Sequence, residues 1–193
     1  MSTSGPLRFA LASALALAAC EEAPDPEQPA ARDAEVSAVD AVSAVDWAAA
    51  GAPDTSVRLR LDAVAQRAVD EAPVPVFVPR WEDGLGRAVV LSKSAYYAFS
   101  FRDEGVTVSL SGNRVAKVYP HIAPHPGTTS LRGRGGFVSQ NEGIWAARWL
   151  EGGVAYALDV ECAAHDDPRC AGESYVRELA ENLAYVGGKG AAR

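Results

Sequence analysis

The chain has few of the residues that most often carry chemistry. Its 193 residues include three cysteines, three histidines and one methionine. No Gly-x-Ser-x-Gly elbow, Ser-x-x-Lys pair, phosphate-cradling glycine loop or His-Glu-x-x-His helix occurs. Each absence lowers the case for the reaction class that depends on that spacing. No apolar stretch reaches the roughly 18 residues of a membrane-spanning helix. Basic charge is also short: 18 Lys and Arg face 25 Asp and Glu. A protein that neutralises phosphates needs the opposite balance, which argues against nucleic-acid binding through a basic field.

The acidity is local. Between residues 21 and 54, nine acids face Arg32 alone, so with Arg8 counted the remainder of the chain balances to zero. That stretch is rich in Ala, Glu, Asp and Pro and has few large apolar side chains. Such a composition cannot bury enough surface to offset its ordering entropy, so residues 20–54 are expected to form a disordered acidic tether. Trp47 is the one large ring in it with the means to dock.

The N-terminus carries the most specific motif. Residues 9–19 are apolar apart from Ser13, follow Arg8, and end in Leu17-Ala18-Ala19-Cys20. Length and flanks are those of a secretory signal's apolar region. The four final residues resemble the lipobox of bacterial lipoproteins. That resemblance implies removal of residues 1–19, diacylglyceryl and palmitate-type acyl chains on Cys20, and a membrane partner reached through that lipid. Two or three chains bury many methylenes at about 0.8 kcal/mol each, which makes anchoring effectively permanent. It also implies the periplasmic face of a membrane, and Glu21 after the cysteine leans towards the outer one. Lipidation of Cys20 leaves Cys162 and Cys170 as an even pair in an oxidising compartment, where a disulfide is expected.

From residue 55 the patterns become those of a folded α+β domain ending at 193. Leu61, Val64, Ala65, Ala68 and Val69 predict a helix over 57–71 with Asp54-Thr55-Ser56 as its cap. Pro73 and Pro75 end it, and Val74, Val76 and Val78 suggest an edge strand. Ala88-Val89-Val90-Leu91 follows as a strand. A turn at Glu104-Gly105 sets Phe101 opposite Val108 and Phe99 opposite Leu110. A further turn is expected at Gly112-Asn113, leading to a strand over 115–119. With Gly152-Gly153 as a turn, Trp149 faces Tyr156, Ala147 faces Leu158 and Trp145 faces Val160. The reverse face then pairs Arg148 diagonally with Asp159. Tyr175, Val176, Leu179, Ala180, Leu183 and Ala184 trace a closing helix that ends before Gly187. The expected architecture is an antiparallel sheet of about six strands packed with an N-terminal and a C-terminal helix.

Candidate chemistry is thin. His121 and His125 share a segment with three prolines, so they cannot form a helical metal face. Cys162, His165, Asp166, Asp167 and Cys170 have loosely zinc-like spacing, which a disulfide would remove. No metal or other cofactor is expected. Arg132 and Arg134, in a glycine-rich segment, are candidate contacts for an anion. Ser139, Asn141 and Glu142 form a polar cluster beside them. Glu82 and Asp83 beside Trp81 offer a carboxylate pair for a sugar, with a solvated turn as the ordinary explanation. No catalytic residue is identified. The sequence therefore points to a non-catalytic binding or structural module of the envelope, with an envelope protein or wall component as partner. The alternative is a hydrolase or transferase whose histidine, serine and acid assemble from distant segments.

Overall fold

In the computed structural model, residues 39–123 and 125–191 are described. The chain divides into Met1–Glu35 and Val36–Arg193, and all the described residues belong to the second unit. The signal segment, Cys20 and the first part of the expected tether lie outside the described residues.

In chain order the elements are β1 (Val39–Val42), a 3₁₀ turn (Trp47–Ala50), α1 (Thr55–Arg58), α2 (Ala63–Glu71) and β2 (Val76–Pro79). A second 3₁₀ turn (Leu85–Arg87) precedes β3 (Val89–Ser92), β4 (Tyr96–Asp103), β5 (Val106–Asn113) and β6 (Val115–Val118). Then come β7 (Thr129–Leu131), β8 (Arg134–Asn141), β9 (Ile144–Glu151) and β10 (Val154–Cys162). A third 3₁₀ turn (Pro168–Cys170), α3 (Ser174–Glu181) and β11 (Leu183–Gly187) complete the fold.

The fold is α+β. Seven strands form one antiparallel sheet in the order β3-β4-β5-β10-β9-β8-β7, while β11 pairs with β2 and β1 with β6 in two smaller sheets. Alternation and turn chemistry set the register of the large sheet. Glu104-Gly105 turns with both residues at positive φ, and Phe101 faces Val108 while Phe99 faces Leu110. Across Gly152-Gly153, Trp149 faces Tyr156, Ala147 faces Leu158 and Trp145 faces Val160. Slipping by one residue would put Arg148 in the core, which the buried face does not allow. Arg148 instead pairs with Asp159 at 2.7 Å on the outer face.

Gly112 is not a turn residue, because β5 runs through it to Asn113. It sits directly between Tyr97 of β4 and Tyr156 of β10. A Cβ there would lie 2.6 Å from one ring and 2.7 Å from the other. The missing side chain lets both rings lean over the sheet and reach the second layer. The Tyr97 hydroxyl accepts from the Phe77 N–H at 3.1 Å and donates to the Phe77 carbonyl at 3.2 Å. The Tyr156 hydroxyl donates to the Pro75 carbonyl at 3.0 Å. Phe77 also meets the Tyr156 ring edge-on at 5.1 Å.

Every residue of β2 and β11 is buried. They are therefore an inner ribbon, covered on one side by the large sheet. Val76 and Val78 lie on an edge strand as expected, since β2 pairs with β11 alone, but that edge is buried. One expectation is corrected: Leu183 and Ala184 belong to a strand rather than to the last helix. A short continuous apolar run fits a strand buried on both faces as well as it fits a helical stripe, so spacing cannot separate them. The expected 57–71 helix is also interrupted: the Asp62 carboxylate accepts from the Ala65 N–H at 2.7 Å and starts α2 afresh. Leu61, Ala65 and Val69 are buried as expected, whereas Val64 is exposed.

Order begins before residue 55. Val39–Val42 pairs with Val115–Val118. The Asp46 N–H donates to the Gly152 carbonyl at 2.8 Å, and the Asp54 N–H to the Tyr185 carbonyl at 2.7 Å. Trp47 packs against Gly188 and Gly190. This part of the expected tether is held by backbone hydrogen bonds and one ring, neither of which leaves an apolar stripe. Cys162 and Cys170 are bridged, tying the end of β10 to the turn before α3.

These contacts carry two testable consequences. Tyr97→Phe leaves the Phe77 N–H and carbonyl buried without partners and should lower unfolding free energy by about 1–3 kcal/mol in chemical denaturation. An unchanged midpoint would contradict the contact. Asp54 accepts from the Ser56 hydroxyl and the Val57 N–H and pairs with Arg80, which together lower its pKa from 3.8 to about 2. A depressed folded-state pKa adds stability above the unfolded value and loses it as pH falls from about 4 through about 2. Asp54→Asn should therefore flatten the melting-temperature profile between those pH values. A profile parallel to that of the parent chain would count against this coupling.

Candidate functional site

The residues expected to bind a ligand do not form a site together. Arg132 and Gly133 make the turn between β7 and β8, but the Arg132 side chain points inward. Its Nε donates to Glu151 Oε2 at 2.9 Å, and its Nη1 donates to the carbonyls of Ala180 at 3.2 Å and Leu183 at 3.4 Å. The guanidinium carbon stands 4.4 Å from the centre of the Phe77 ring. Trp149 Nε1 donates to the same Glu151 oxygen at 3.1 Å. The two charged side chains are only 15% and 9% exposed. Arg132 is therefore a clamp between β7–β8, β9, α3 and β11, with Nε and Nη1 engaged inside the fold. Its place in the fold is structural, pairing with Glu151 rather than projecting into solvent beside Arg134.

Arg134, Ser139, Asn141 and Glu142 are exposed along or beyond β8. None of them gains a histidine. His121, His125 and His165 are all exposed, and among the described residues their one side-chain hydrogen bond runs between His125 Nδ1 and the Pro126 carbonyl at 2.8 Å. The expected constellation of histidine, serine and acid is absent among the described residues. No three potential metal ligands gather among them either.

Two concavities stand out. The larger, about 600 Å³, lies on the outer face of the sheet, with Ser111, Ala155 and Ala157 as floor and Phe137 and Leu150 at its sides. Its charged and polar groups are largely committed, Arg148 to Asp159 and His125 to Pro126.

The smaller, about 250 Å³, lies at the Glu104-Gly105 end of the sheet's inner face. Phe101, Val106 and Val108 form its apolar floor, Trp81, Glu82, Asp83 and Asp103 one side, and Arg169 and Tyr175 the other. The Trp81 and Phe101 rings are 4.7 Å apart and tilted. A second hollow shares Trp81 and Tyr175 and adds Arg80, Glu178 and Asn182.

The loop that brings Trp81 there is fixed at three points. Arg60 Nη1 donates to the Trp81 carbonyl at 2.7 Å. The Trp81 ring packs on Phe101. Gly84 adopts φ +88°, and a Cβ on it would stand 2.7 Å from the Phe101 ring, so only glycine allows this close approach. The opposite wall is fixed by Arg169, which pairs with Asp167 at 2.7 Å and donates to the Glu104 carbonyl at 2.9 Å. That guanidinium holds the Asp167 carboxyl below its ordinary pKa. The disulfide next to Arg169 anchors the same turn. Burial pushes the Tyr175 phenol up, so it stays neutral and offers a ring and a hydroxyl.

Arg87 donates to Asp103 at 2.9 Å. Glu82 and Asp83 form no ion pair or hydrogen bond among the described residues. With Asp103 paired to Arg87 and Arg169 to Asp167, the uncompensated charge of the lining is that of Glu82 and Asp83. Only Trp81, Glu82 and Asp83 left a sign in the sequence. Asp103, Arg169 and Tyr175 reach the hollow from three separate elements and had none.

No family model, curated protein or solved structure matches the chain.

The clamp yields a stability prediction. Arg132→Ala leaves Glu151 buried beside Trp149 without its cation and should destabilise the fold by about 3–5 kcal/mol. Replacing both with apolar side chains of similar volume should recover much of that loss. Denaturant titration of the single and double variants checks this, and equal stability of Arg132→Ala and parent would refute the clamp.

Proposed function

We propose that this chain is an exported bacterial lipoprotein, moored through lipid on Cys20 at the periplasmic face of a membrane, with Glu21 favouring the outer one. Its folded unit is a non-catalytic binding module of the envelope, whose partner is another envelope protein or a wall component. The observation that carries the binding half is the hollow at Trp81, where aromatic side chains and two carboxylates without ion-pair partners line an open end of the core. A pocket of apolar surface with a few convergent polar groups is the usual form of a recognition site. Export is supported by Leu17-Ala18-Ala19-Cys20 and by the Cys162–Cys170 bridge, a bond that persists in oxidising compartments. A catalytic role has less support, because no base stands beside a nucleophile among the described residues.

One experiment tests both halves. Cells of a host that processes lipoproteins express the full chain with a photo-crosslinking residue at position 83 and are fed an alkyne analogue of palmitate. The expected result is an acyl-labelled, membrane-bound protein that forms a discrete adduct on irradiation. Cys20→Ala should lose the acyl label and the membrane association of the processed form. Label that persists in Cys20→Ala would overturn the anchor. Irradiation that yields no adduct, in a correctly labelled protein, would overturn the binding role of this face.

A further inference from the structure

We infer that the Trp81 hollow recognises an organic cation, an alkylammonium or guanidinium group held against aromatic rings and capped by Glu82 and Asp83. The inference rests on the binding-module reading and names the chemistry that the module selects. Four features support it.

The first is sign. Of the charged groups lining the space, Asp103 is paired with Arg87 and Arg169 with Asp167, which leaves Glu82 and Asp83 without a counter-charge among the described residues. An anion entering would meet these two negative charges, while a cation would be attracted by them.

The second is the wall material. Aromatic faces carry negative quadrupole charge and attract cations placed within about 6 Å of the ring centre. The chain supplies an internal example, since the Arg87 guanidinium carbon stands 5.9 Å from the Phe101 centroid while its Nη2 donates to Asp103. Ring plus carboxylate is thus an arrangement this end of the fold already uses for a cation of its own. Trp81 and Tyr175 are half-buried rings beside the empty part of the hollow.

The third is size. At about 250 Å³ the space is itself below the roughly 300–1,000 Å³ of ordinary small-molecule sites. The hollow of about 300 Å³ that shares Trp81 and Tyr175 leaves room for what the group is attached to. The smaller space suits the end of a side chain or a short amine, with its methylenes over Val106 and Val108 and its charge at the mouth.

The fourth is preorganisation. Arg60, Gly84 and the Arg169 clamp hold the two walls in place, so little ordering is needed when a ligand enters. A neutral sugar would also stack on Trp81 and donate hydroxyls to both carboxylates, but its binding would not depend on charge. Charge dependence separates the cation from the saccharide reading.

The test uses the full-length protein in detergent micelles, titrated with n-butylammonium, n-butanol and butyrate at constant ionic strength. Binding is followed by the indole resonance of Trp81 and by calorimetry. The ammonium should shift Trp81 saturably, and the two isosteres should require at least about tenfold higher concentration. Glu82→Gln combined with Asp83→Asn changes only exposed side chains, so it should fold normally and weaken the ammonium by about tenfold or more. Raising salt should weaken binding as well.

A second arm separates the sources of the cation. A short lysine-containing peptide that binds more tightly than butylammonium identifies a basic side chain of a protein partner, while the reverse order identifies a free amine. Either order supports the cation site. Equal response to butanol and butylammonium, or unchanged ammonium binding in the double variant, overturns it. A crosslinked envelope partner recovered at position 83 alongside such a failure would leave the binding-module reading standing and remove only the cation.

Discussion

Two phenolic hydroxyls stand where a neighbouring strand would otherwise run. β2 pairs with β11 on one side only, and its other edge faces the core, where unpaired peptide groups would be costly. Prolines at 75 and 79 reduce the number of donors on that edge. Tyr97 satisfies both polar groups of Phe77, and Tyr156 satisfies the carbonyl of Pro75. Burial pushes both phenols well above their ordinary pKa, which keeps them neutral and able to donate. The inner ribbon can therefore lie across the large sheet without being part of it. Gly112 is the small residue that makes this possible, since both rings occupy the space above it.

This geometry also explains why a hollow exists and where. The ribbon covers the middle of the sheet's inner face, and Arg132 with Glu151 fastens the ribbon's Leu183 end to β7, β8 and β9. At the Glu104-Gly105 end there is no such cover. Phe101, Val106 and Val108 have a loop and a disulfide-tied turn for neighbours, and the space between these is the Trp81 hollow. The rigid, fully bonded centre and the open end are two results of laying a short ribbon over a longer sheet.

Local features were legible in the sequence wherever a single rule decided them. Hairpin register followed from alternation and from Glu104-Gly105 and Gly152-Gly153, and the cysteine pair followed from counting. What escaped depended on contacts between distant segments. Leu183–Gly187 reads equally as helix or strand until the covering layers are known. Val39–Val42 and Asp46 are held through backbone groups, which leave no mark on composition. Arg132 carried the mark of an anion contact, yet its Nε and Nη1 bind Glu151 and two carbonyls inside the fold. Of the hollow, only the Trp81-Glu82-Asp83 triplet was visible, because the rest converges through the fold.

Amide hydrogen exchange at Phe77 addresses the central constraint most directly. Its N–H has a phenol for a partner and no strand beside it, so its protection reports whether the Tyr97 hydroxyl seals that edge. A sealed edge predicts exchange as slow as at Val108 and Leu158 in the middle of the large sheet. Exchange at the rate of the exposed loops would mean that the edge opens freely, which would contradict a ribbon held over the sheet by these two phenols.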